Sequence, residues 1–88
     1  MIRRRYVLHG SVQGVGLRWR ARHAAGLYGC TGLCRNEADG SVTLEIQGSA
    51  EAVDAVVRAV ADNPWGRVER MEEDAIPVEE REYGFGTE

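Results

Sequence analysis

Lysine is absent from this chain of 88 residues, and all eleven basic residues are arginine. That removes Schiff-base chemistry and the lysine-dependent phosphate loop of nucleotide-binding proteins, because both need a primary amine. Cysteine is nearly as scarce. Cys30 and Cys34 are the only two, too few for a disulfide framework, and with no second pair or nearby histidine they make no zinc site. On a single strand they would stand about 13 Å apart, beyond disulfide reach, so they read as free, buried thiols. Apolar runs last only a few residues, far short of the roughly 20 that span a bilayer. Arg3, Arg4 and Arg5 lead into no signal-peptide core. The chain therefore reads as one soluble, cytoplasmic domain over residues 1–88, with no membrane partner.

Acid is also missing, but only locally. Residues 1–36 hold seven Arg and no Asp or Glu, while residues 37–88 hold four Arg and all fourteen acids, so the net charge of −3 divides into +7 and −10. Either the first segment is an anion-binding half, or strand pairing sets the two signs side by side. The overall acidity argues against nucleic acid as a partner, since such binders carry a net basic footprint.

Periodicity predicts a strand over residues 3–9 and a helix over 17–28, with Leu17, Ala21, Ala24, Ala25 and Tyr28 on one face and Gly29 as its stop. Two strands follow, over 30–36 and 41–47, joined through the Asp39-Gly40 turn. Ser49 then caps a second helix whose Val53, Val56, Val57 and Val60 form an apolar stripe ending near Asn63-Pro64. Val68 to Met71 is a weak strand, and Tyr83 with Phe85 leaves room for a short fifth. The order βαββαβ predicts an α+β, ferredoxin-like two-layer sandwich, an antiparallel sheet covered by two helices on one face. Residues 69–82 read as a solvated acidic edge, Trp65 as a cap on the core, and His9 and His23 as structural or surface groups.

The stretch Gly10-Ser11-Val12-Gln13-Gly14-Val15-Gly16-Leu17-Arg18 falls where the first strand turns into the first helix. Glycines let the backbone adopt positive φ and approach a ligand closely, so that successive N–H groups can converge on an oxyanion at a helix N-terminus. Arg18 adds a planar fork that matches two phosphate oxygens. A cation in the first helical turn opposes the macrodipole, a conflict that a bound anion would relieve. From spacing alone, a tight turn beside a solvated arginine explains the same residues equally well.

Leu8, Gly10, Val12, Gln13, Gly14, Val15 and Arg18 stand in a pattern that resembles the first signature of the acylphosphatases. Gly32-Leu33-Cys34-Arg35-Asn36, then Gly40, Val42 and Gly48, is similar to that family's second signature. The resemblance implies metal-free, cofactor-free hydrolysis of a small-molecule acyl phosphate to a carboxylate and inorganic phosphate, the latter also a competing ligand. It implies Arg18 as the phosphate-binding arginine, Asn36 as the residue orienting the water, and the backbone of residues 12–17 as the cradle, in a chain expected to act as a monomer. A mixed anhydride is already activated, so positioning and charge stabilisation suffice.

Leu17 and Leu33 depart from the family pattern, which usually has larger apolar or aromatic residues there; both are expected to keep the packing beneath the site. A same-fold module that binds acyl phosphate with little turnover is the alternative. The carbamoyl-phosphate role of similar domains in larger hydrogenase-maturation proteins fits a stand-alone chain poorly. An RNA-recognition motif would need stacking aromatics on its central strands, which residues 41–47 lack, and a metallochaperone would need cysteines in residues 10–18.

Overall fold

In the computed structural model, which describes residues 1–64 and 66–87, strand β1 (Ile2–Ser11) buries Tyr6 and Leu8 on one face, at the period of two that a half-covered sheet imposes. Helix α1 (Leu17–Tyr28) has the bounds its periodicity predicts and buries Leu17, Ala21, Ala24 and Ala25, whereas Tyr28, expected on the same face, is exposed in its last turn. Strands β2 (Thr31–Asn36) and β3 (Val42–Gly48) form an antiparallel hairpin. Helix α2 (Ala50–Ala61) starts at Ser49, whose Oγ accepts from the Ala52 N–H at 3.1 Å. Its buried face is the predicted valine stripe, each side chain contributing about 1.5–3 kcal/mol relative to exposure. Both helices lie on one face of the sheet, against Leu8, Cys34, Val42, Leu44 and Ile46.

The sheet runs β4-β1-β3-β2-β5. Strand β4 (Arg67–Ile76) is much longer than the four residues its sequence pattern marks, pairing antiparallel along almost all of β1. The pattern is weak because β4 is an edge strand with hardly a buried residue, held by its ladder and by cross-strand charge pairs such as Arg4 with Glu73 at 3.7 Å. Strand β5 (Phe85–Thr87) pairs parallel to β2, so the short fifth strand makes an otherwise antiparallel sheet mixed.

Residues 77–84 carry the chain from one sheet edge to the other across the face opposite the helices. The Gln47 side chain holds this strap from both ends of its amide: Nε2 donates to the Glu79 carbonyl at 2.9 Å, and Oε1 accepts from the Glu79 N–H at 2.7 Å. Buried Arg3 binds Glu82 at 2.7 Å and Glu45 at 3.0 Å, which raises its pKa, the Glu82 hydrogen bond most strongly. Trp65, expected to cap the core, lies outside the described residues.

Candidate active site

Five residues, 12–16, join β1 to α1. Gly14 and Gly16 adopt left-handed backbone, with φ of 72° and 76°, which side-chain-bearing residues rarely tolerate. Gly16 is the N-cap of α1 and offers no capping side chain, and the first turn holds no acid. The positive end of the helix is therefore left without a protein side-chain cap.

This end opens into a pocket of about 180 Å³ lined by Val12, Gly14, Gly16, Leu17, Arg18, Trp19 and Asn36. Arg18 from the first turn of α1 and Asn36 from the end of β2 thus share one cavity. Its volume is below the roughly 300–1,000 Å³ of pockets for larger organic ligands and suits a tetrahedral oxyanion with a water. Cys34, two residues before Asn36 on the same side of β2, is buried to 1% exposure. Burial pushes its thiol up to about 11, against the opposing pull of the Arg18 charge. Among the described residues, the pocket lining carries no carboxylate.

Two predicted cradle residues act through contacts that the sequence did not reveal. The Gln13 side chain donates from Nε2 to the carbonyls of Glu37 at 2.7 Å and Ser41 at 3.0 Å, fastening the loop to the β2–β3 turn just beyond Asn36. Val15 packs its side chain against the core, and its carbonyl accepts from Asn63 Nδ2 at 3.2 Å. The turn itself is braced on the open face. Glu37 Oε2 accepts from Thr43 Oγ1 at 2.6 Å and from Arg35 Nε at 3.1 Å, and these bonds hold its carboxyl below the usual carboxylate range, Thr43 contributing most. Asp39 is lowered likewise, by the Ser41 hydroxyl and N–H at 2.6 and 2.9 Å. No sequence motif marks these partners, because the contacts join segments more than twenty residues apart or depend on turn geometry.

Leu17 is buried beneath the pocket, as expected. Leu33 is not: alternation along β2 turns Gly32 and Cys34 toward the helices and Leu33 toward the open face, where it pairs with Glu45. Its departure from the family pattern therefore lies away from the pocket. The charge division resolves only in part by pairing of the two halves: Arg3, Arg4 and Arg35, three of the seven arginines of residues 1–36, bind acids from residues 37–82, on strand, strap, helix and turn alike. His9 bonds Glu72 at 2.6 Å on the open face, and His23 stacks on Trp19 along α1.

Fold and pocket placement set the class first: a ferredoxin-like α+β sandwich whose concave site opens at the start of its first helix. The family model described as acylphosphatase matches residues 4–87, and the chain belongs to the acylphosphatase family. It is 40% identical over 88 residues to the acylphosphatase of Bifidobacterium longum, covering 98% of this chain and 91% of that one. The acylphosphatase of Clostridium perfringens is 34% identical, with 99% of each chain covered. The crystal structure of the acylphosphatase from Bacillus subtilis superposes with a TM-score of 0.91 at 27% identity, covering 99% of this chain and 98% of that one. Among the described residues, no helix is long and apolar enough to cross a membrane.

Proposed function

We propose that the protein hydrolyses the carboxyl–phosphate bond of acyl phosphates, releasing a carboxylate and inorganic phosphate without a metal ion. The observation that carries this reading is the meeting of Arg18 and Asn36 in one small pocket at the uncapped start of α1. The phosphoryl group sits against the backbone N–H groups of residues 12–17, where the helix end favours negative charge. Arg18 holds two of its oxygens and neutralises charge that grows in the transition state.

Asn36 holds the attacking water through its side-chain amide, on the side of the phosphorus away from the leaving carboxylate. Water attacks phosphorus, the P–O bond to the acyl group breaks with its electron pair leaving on the carboxylate, and the water proton passes to a phosphate oxygen. Among the described residues, no carboxylate lines the pocket to take that proton, and Glu37, the nearest to Asn36 in sequence, has an oxygen tied to Thr43 and Arg35 on the other face. The leaving carboxylate is a weak base and departs without protonation.

Product phosphate competes with substrate for the loop. The same reading takes residues 1–88 as one catalytic domain working as a cytoplasmic monomer, the acid-rich exposed β4 edge opposing strand-to-strand association. The test is release of phosphate from acetyl or benzoyl phosphate with excess chelator. Arg18→Ala and Asn36→Ala should each lower kcat by about 10²–10³, the usual effect of removing one group that stabilises developing charge. Asn36→Ala should still bind phosphate. Wild-type protein that binds phosphate without turning over either substrate would instead be a binding module.

A further inference from the structure

Of the two large aromatic side chains that α1 leaves exposed, Trp19 and Tyr28, Trp19 stands at the pocket end of the helix. Trp19 is 67% exposed, yet its ring is held: the indole lies parallel to the His23 imidazole, 6° between planes and 5.1 Å between centroids, the offset arrangement that aromatic pairs favour. Helical side chains lean toward the N-terminus of their helix. His23, one turn further on, therefore backs the indole from the C-terminal side. The indole face away from His23 is left open.

Trp19 lines the pocket that holds Arg18 and Asn36, and it also lines two shallow grooves along the outside of α1, one with Arg22 and Leu27 and one with Tyr28 and Ala59. At about 180 Å³ the pocket is small for a phosphoryl group, a water and a bulky acyl group together. On the acyl phosphate reading the acyl group extends out of the pocket, whose lining includes Trp19.

We propose that Trp19 is the platform for the acyl half of the substrate, and that the site favours planar aromatic acyl phosphates over small aliphatic ones. The inference rests on the acyl phosphate reading above. An aroyl group lying on the open indole face gains a stacking contact and covers apolar surface that is otherwise wet, whereas an acetyl group is too small to cover the ring. His23 acts as a positioning residue, fixing the indole so that the stack costs little ordering.

The test compares kcat/KM for benzoyl phosphate with that for acetyl phosphate in wild type, Trp19→Ala, Trp19→Phe and His23→Ala. The benzoyl-to-acetyl ratio should fall about tenfold in Trp19→Ala, the size of one good aromatic pair. Trp19→Phe should restore most of it, and His23→Ala should lower it less than Trp19→Ala does. The ratio cancels any general loss of folded or active protein. An unchanged ratio in Trp19→Ala, with both substrates still hydrolysed, would overturn the platform and leave the hydrolase reading standing. If wild type hydrolyses neither substrate, the hydrolase reading fails, and calorimetric binding judges the platform alone. Benzylphosphonate should then bind about tenfold tighter than methylphosphonate to wild type and equally to Trp19→Ala; equal affinities for wild type would overturn it.

Discussion

Gln13→Ala separates the two roles of the glycine loop, stability and placement. The side chain lost makes two hydrogen bonds, to the carbonyls of Glu37 and Ser41. Neither carbonyl is orphaned by its removal, because Ser41 O still accepts from the Glu37 N–H at 2.8 Å and Glu37 O from the Gly40 N–H at 3.2 Å. The stability cost is therefore the net worth of two hydrogen bonds without an unsatisfied-group penalty, about 1–2 kcal/mol. In a domain of this size that lowers Tm by roughly 4–16 °C.

The effect on catalysis should be larger than that loss implies. Gln13 is the side-chain tie between the loop beside Arg18 and the turn after Asn36, and a shift of about 1 Å between reacting groups costs on the order of a hundredfold. Phosphate release from acyl phosphate at a temperature where the variant stays fully folded should show kcat reduced by about 10–100-fold, with the KM for substrate changed much less. Gln13→Glu should be worse, since a carboxylate would face two carbonyl oxygens. Wild-type kcat in folded Gln13→Ala would refute the idea that this amide sets the distance between phosphate and water.

Other expectations concern the frame around the site. Glu37 and Asp39 have pKa values below the usual carboxylate range, so what they contribute to stability is fully present above that range and is lost as pH falls through the lowered values. Urea midpoints for Glu37→Gln should therefore fall less steeply than wild type from about pH 5 downward, and parallel curves would argue against the Thr43 and Arg35 contacts. Gly26→Ala, inside α1 with open space where its Cβ would go, should stabilise by about 0.5–1 kcal/mol. Gly32→Ala should cost more than about 2 kcal/mol, because φ is 150° and the new Cβ would fall on the Glu45 carbonyl; denaturant unfolding of both variants checks the pair.

Residues whose role is set by local chemistry were readable in advance. Ser49 before a valine stripe and Gly29 after an alanine face define helix ends through capping and periodicity, which need no tertiary information. The left-handed glycines before α1 were readable for a similar reason, since the backbone geometry of a helix start follows from adjacent residues. What escaped were features set by pairing. The length of β4 comes from the ladder offered by β1, and its exposed acids leave no apolar pattern. The face occupied by Leu33 depends on the register of β2, and a one-residue change inverts it. The side-chain tie made by Gln13 escaped because its partners arrive only when the β2–β3 turn folds beside it.

The central claim is that the phosphoryl group, not the acyl carbon, lies in the loop with a water held by Asn36. Hydrolysis of benzoyl phosphate in heavy-oxygen water tests it directly by mass spectrometry of both products. Attack on phosphorus places the label in inorganic phosphate and leaves benzoate unlabelled, and the residual reaction of Asn36→Ala should be slow but carry the label in the same product. Label in the benzoate would mean attack at the carbonyl carbon and would contradict the placement of the water.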